Sequence, residues 1–137
     1  MIRRLQKMKA VLLEHFPESQ LKPLTAAQLA RLKRTSPGVP AHILKFFEIV
    51  GCGCIGRSRY MIYNLLSPEG IFDKETAASL GGVLLIGDDF AGTHEAYDTR
   101  SKWRFGSVGG GGRFEPHTRY GNFIDFIEAW YVSRVEA

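Results

Sequence analysis

The chain has 137 residues, of which 45% are hydrophobic and 23% charged, and it carries a net charge of +4. That length suits a single domain whose core stands without metal or disulfide staples, and the composition excludes a disordered chain. No apolar run is long enough for a bilayer span, and the N-terminus mixes charges among its apolar residues instead of separating them as a secretory signal does, so a cytoplasmic protein without a membrane partner is expected.

In chain order, Ile2, Leu5, Met8, Leu12 and Phe16 recur at three- and four-residue steps and predict an amphipathic helix over 2–16, stopped by Pro17. A second helix is predicted from Thr25, where Thr25 and Gln28 form a capping box and Leu24 can pack on Leu29; it ends before Ser36-Pro37-Gly38. A third has Pro40 in its first turn, a buried side of Ile43, Leu44, Phe47 and Val50, and Gly51 as its stop.

From there the period becomes extended. Residues 59–66 read as a strand rich in aromatic and branched side chains. A helix is predicted to start at Ser67-Pro68-Glu69 and run to Leu80. The apolar run 83–86 predicts an interior strand, paired with 93–97 across an Asp-Asp-Phe-Ala-Gly turn. Residues 103–108 alternate as a half-buried strand, and four glycines, 109–112, link them to Arg113, Phe114 and Glu115. A last helix is capped by Asn122, with Phe123, Phe126, Ile127, Trp130 and Tyr131 as its apolar stripe and Trp130 expected in the core. Helices at both ends with short-linked strands between them point to an α+β domain.

The chemistry-bearing residues are few. Cys52 and Cys54 lack a second pair to complete a zinc site and read as reduced thiols. The glycine run is followed by Arg-Phe-Glu-Pro, which does not open a phosphate-binding helix. His15, His42 and His117 lie far apart and read as surface or internally satisfied histidines, and no serine or cysteine sits in a nucleophile elbow. Eight of the 18 basic side chains (Arg3, Arg4, Lys7, Lys9, Lys22, Arg31, Lys33 and Arg34) fall in residues 1–36, against only Glu14 and Glu18. That excess reads as a solvated helical face, with nucleic-acid binding as the alternative. The remaining cluster is Asp88, Asp89, Glu95 and Asp98, with His94 and Tyr97. Its spacing fits no EF-hand or His-based metal motif, so it reads as an acidic turn serving structure or a partner. No enzyme, cofactor or metal is expected.

Four elements taken together resemble the SMI1/KNR4 (SUKH) family over about residues 23–132. They are the Pro40-led helix ending in Gly51-Cys52-Gly53, the Tyr60 to Leu66 strand before Ser67-Pro68-Glu69, the Gly87-Asp88 turn before Tyr97-Asp98, and the Phe126 to Trp130 helix. The resemblance implies one domain over 1–137, with a central mixed, mainly antiparallel sheet flanked by N-terminal helices and a C-terminal helix, and no enzymatic activity. Many bacterial members are immunity proteins that bind and neutralise polymorphic toxins, often nucleases, whereas some fungal members are regulatory scaffolds. The implied partner is thus a protein, a toxin domain such as a nuclease. Asp88, Asp89, Glu95, Tyr97 and Asp98 are the expected partner surface, because an acidic patch complements a basic nuclease cleft.

Overall fold

The structure, a computed structural model, describes residues 1–136. Helix α1 (Ile2–His15) buries Leu5, Met8 and Leu12 along the stripe that their spacing predicts. Beyond Pro17 comes a strand of only three residues, β1 (Gln20–Lys22), too short to show a period in sequence. Helix α2 (Ala26–Thr35) starts at the expected capping box: Gln28 N–H donates to Thr25 Oγ1 at 3.2 Å, and Thr25 N–H donates to Gln28 Oε1 at 2.8 Å. Helix α3 (Ala41–Ile49) begins one residue later than expected, with Pro40 as its cap. It buries Phe46 beside Ile43 and Phe47, while Leu44 is half-buried. Gly51 ends it at φ +95°, where a Cβ would also lie 2.3 Å from the Lys22 carbonyl of β1.

The helix expected from Ser67 to Leu80 is in two pieces. A 3₁₀ turn at Pro68–Gly70 stops, and Asp73 opens α4 (Lys74–Ser79) by accepting from Thr76 N–H. An Asp side chain that captures a helix-start N–H restarts the helix at that point.

The remaining strands are β2 (Cys52–Ile55), β3 (Tyr60–Leu66), β4 (Val83–Asp88), β5 (His94–Asp98), β6 (Arg104–Val108) and β7 (Phe114–Pro116). With β1 they form one seven-stranded sheet in sequence order. The sheet is not mixed: each neighbouring pair is antiparallel. The β2–β3, β4–β5, β5–β6 and β6–β7 connections are too short for a parallel crossover, whereas β1–β2 and β3–β4 are joined through helices and pair antiparallel all the same. The edge strands β1 and β7 have three residues each, and β7 ends in Pro116, which limits further strand addition.

One sheet face carries Tyr60, Ile62, Ile86, Tyr97 and Phe105 and packs beneath α1, α3 and the C-terminal helix in the main core. The other carries a smaller cluster, Leu80, Val83, Leu85, Ala96 and Val108. Strand β4 is interior, as the run 83–86 predicts, and its alternation supplies both clusters.

The C-terminal helix starts as predicted, with Asn122 Oδ1 accepting from Asp125 N–H. It runs as α5 (Phe123–Ile127), widens into a π-helical turn at Glu128–Val132, and ends as α6 (Ser133–Glu136). The wide turn overturns the expectation for Trp130. An added residue per turn advances the buried row from Ile127 to Val132 and swings Trp130 outward, where it is 38% exposed. Arg4 ties this helix to α1: its guanidinium bonds Asp125 at 2.7 Å and Glu128 at 2.9 and 3.0 Å.

Candidate functional site

The acidic residues expected to form one patch are distributed over the sheet instead. Alternation along β5 sends Glu95 and Tyr97 to the helix-covered face, where they are 3% and 1% exposed. Tyr97 is a core side chain whose hydroxyl accepts from Phe123 N–H at 2.8 Å, and burial raises its pKa. It does not meet solvent, and neither does most of Glu95, so the expectation of these two as exposed contacts is corrected. The alternation itself carried the signal: Glu95 shares a face with Tyr97 and lies opposite Ala96.

Asp88 and Asp89 separate to opposite faces. Asp88 accepts from Tyr63 Oη at 3.1 Å and from Phe90 N–H at 2.8 Å, and it lies 3.5 Å from His94 Nε2. Tyr63 is pushed up to about 12, first by burial and then by Asp88. Asp89 Oδ1 accepts from Ala91 and Thr93 N–H, which closes the β4–β5 turn. Asp98 stands at the far end of β5 and caps a 3₁₀ turn through Arg100 N–H and Ser101 Oγ. Of the five expected residues, the structure brings Asp89 and Glu95 to a common hollow.

That hollow is a cleft of about 400 Å³ between the end of the sheet and the C-terminal helix. Glu95, Thr93 and Ser107 come from the strand side, His117, Arg119 and Tyr120 from the segment after β7, and Phe126, Trp130 and Tyr131 from the helix. Behind the lining, the fully buried Tyr60 donates through Oη to Glu95 Oε1. Tyr60 reaches Glu95 because Gly87 stands between them; a Cβ there would lie 1.8 Å from the Tyr60 hydroxyl. Burial raises the Tyr60 phenol far above its ordinary pKa, and the Glu95 charge adds to the shift.

His117 stacks on Phe105, with ring centres 4.7 Å apart and planes at 19°. Its Nε2 lies 3.7 Å from Glu95 Oε2, beyond a hydrogen bond, and is buried without a partner. This histidine is thus half-buried in the cleft wall, with Nε2 lacking the hydrogen bond that a satisfied histidine would make. His42 Nε2 and His94 Nδ1 are likewise buried without a partner. Tyr131 is pushed up to about 12, first by burial and then by the charges of Glu95 and Asp89.

The cleft's rim is aromatic. Trp130 stands beside Phe126 and carries the Arg134 guanidinium 3.9 Å from its ring centre. Next to Asp89, at the hairpin tip, Phe90 is 48% exposed and held at φ +61°. Sequence reasoning missed Phe90 and the His117–Glu95–Tyr60 arrangement, whose members lie on separate strands and loops.

Elsewhere, Cys52 and Cys54 are free, and burial pushes the Cys52 thiol up to about 12. The glycine run makes the β6–β7 turn, with Gly112 N–H donating to the Gly109 carbonyl at 3.0 Å. Among the described residues no group of three or more His, Cys, Asp or Glu side chains is placed to hold a metal ion, and no helix is long and apolar enough to cross a membrane. Comparison of the chain with protein-family models, with curated proteins and with solved structures finds no match.

Proposed function

We propose that this is a non-enzymatic cytoplasmic binding protein of the immunity type, which neutralises a cognate toxin domain by covering it with the β4–β5 hairpin tip and the cleft rim. The observation that carries the reading is the pair Phe90 and Trp130, two large aromatic side chains exposed against local preference. Phe90 occupies a left-handed backbone conformation that a residue with a Cβ adopts at a cost, and Trp130 is turned out of the core by a π-helical turn. Trp130 lines a cleft together with Arg119 and Tyr120, and Phe90 follows Asp89, another of its lining residues. Trp, Tyr and Arg are the residue types that dominate interface energetics. The resemblance to SMI1/KNR4 proteins supplies the toxin as the kind of partner; a regulatory scaffold would use the same surface.

The nucleic-acid alternative is less well supported. Arg4 is engaged by Asp125 and Glu128, and Lys9 Nζ donates to the Ile49 carbonyl at 3.1 Å, so two of the N-terminal cations already serve the fold.

The test is capture of the partner from the source cells with the tagged chain, followed by expression of that partner alone and with this protein. The partner is expected to arrest growth, and the wild-type chain to restore it. Trp130→Ala and Phe90→Gly should lose rescue, whereas Arg31→Glu on α2 should keep it. Rescue that survives both cleft variants, or a partner without toxicity, would overturn the reading.

A further inference from the structure

Glu95 is a carboxylate with a 4% exposed side chain that has used only part of its hydrogen-bonding capacity. Oε1 accepts from Tyr60, while Oε2 lies 3.7 Å from His117 Nε2. A buried carboxylate is stabilised by further N–H donors or by a cation, and an ionised one accepts at both oxygens. His117 Nε2 faces the same space and is also without a partner. A neutral imidazole accepts at one nitrogen, so an unpartnered Nε2 beside the Glu95 carboxylate suits a group carrying more than one N–H.

The charge around the cleft agrees. Asp89 adds a second carboxylate, and Arg119 is the single arginine among the lining residues. At the Tyr131 hydroxyl, Glu95 and Asp89 raise the pKa after burial does, and the more weakly acting Arg134 and Arg59 lower it. The walls are the rings of Phe126, Tyr120, Trp130 and Tyr131. Aromatic faces attract cations, and the Arg134 guanidinium already rests on Trp130. A volume of about 400 Å³ lies toward the small end for ligand sites, room for one long side chain but not for a strand or a helix.

We infer that the cleft receives one basic side chain, arginine or lysine, from the protein partner, with Glu95 as its counter-charge, His117 Nε2 as a second acceptor and the aromatic rings as its walls. The inference rests on the partner-binding reading and specifies what the partner must present. An acidic or carbonyl-bearing group would bring acceptors to acceptors.

The experiment uses the wild-type protein and three small probes: N-acetyl-arginine amide, its neutral isostere N-acetyl-citrulline amide, and apolar N-acetyl-norleucine amide. Binding is followed by the amide signals of Gly87, Glu95 and His117 and by the Trp130 indole signal. The arginine probe should bind saturably in the millimolar range, the citrulline probe at least tenfold more weakly and the norleucine probe more weakly still. Glu95→Gln, with its fold checked by the same spectrum, should abolish the preference for arginine over citrulline. Equal binding of arginine and citrulline, or no shift with any probe because the cleft holds water only, would overturn the inference. Partner capture separates the two claims. If Trp130→Ala abolishes capture while Glu95→Gln leaves the Kd unchanged, the basic-anchor inference fails and the binding reading stands. Arginine binding with capture indifferent to Trp130→Ala refutes the binding reading and leaves a cation site.

Discussion

The Tyr60 hydroxyl reaches Glu95 across β4, over a residue that has no side chain. One phenol and one glycine on adjacent strands thereby hold Glu95, the buried carboxylate that lines the cleft. Gly87 does not need its conformational freedom here; it needs its lack of bulk. Gly87→Ala should displace Tyr60 and cost at least about 2 kcal/mol of stability, as overpacking does. Urea denaturation measures the loss, and an unchanged midpoint would refute the steric account.

Removing the donor alone should be worse than removing the pair. Tyr60→Phe leaves Glu95 buried with one partner fewer and should cost about 1–3 kcal/mol, whereas Tyr60→Phe combined with Glu95→Met should recover part of that loss. A double-mutant cycle by thermal or chemical denaturation gives the coupling; additive losses would show that the two residues do not depend on each other.

Trp130→Ala should change stability by less than about 1 kcal/mol, because the ring stands at the rim and not among core side chains. Phe90→Gly should leave stability unchanged or raise it by up to about 1 kcal/mol, since glycine relieves the left-handed backbone at some cost in entropy. Both variants should weaken partner binding. A loss of several kcal/mol on unfolding Trp130→Ala would return that residue to the core.

Alkaline pH should weaken the fold. The phenols of Tyr63 and Tyr131 are pushed up to about 12, in each case first by burial. A tyrosine whose folded pKa lies above its unfolded value near 10 holds its proton more tightly when folded. The stability this contributes is fully present below pH about 10 and is lost as pH rises toward about 12. Denaturation midpoints across that window should fall, and Tyr63→Phe or Tyr131→Phe should flatten the decline.

Arg4→Ala should destabilise by about 1 kcal/mol, less at high salt, because its pairs with Asp125 and Glu128 are partly exposed. Arg4→Lys should restore only part of it, since an ammonium does not reproduce the fork that meets both Glu128 oxygens. Equal rescue by lysine would reduce the interaction to charge alone.

What was legible in the sequence was local. The capping box at Thr25, the Asn122 cap, the apolar run of β4 and its hairpin with β5 each announce themselves within a few residues. The cleft was not legible in that way, because its polar centre joins residues 35 positions apart, Tyr60 and Glu95. The acidic turn misled because carboxylates adjacent in sequence project to opposite sides of a strand, and a face is decided by what lies across the sheet. Trp130 misled because a 3.6-residue period presumes an unbroken helix, and the π-helical turn breaks it.

The order of the sheet also bears on how the chain folds. Each strand meets the one before it, and four of the six junctions are hairpin loops of small closure cost, while α2 and α3 intervene between β1 and β2 and α4 between β3 and β4. The helical layer is different: Phe123 packs on Phe46 at 5.5 Å, and Arg4 finds partners 121 and 124 residues away. The sheet's apolar face, which α1 and α3 cover in part, is therefore completed only when the C-terminal helix docks. Until that helix docks, the part of the face it covers stays open to aggregation.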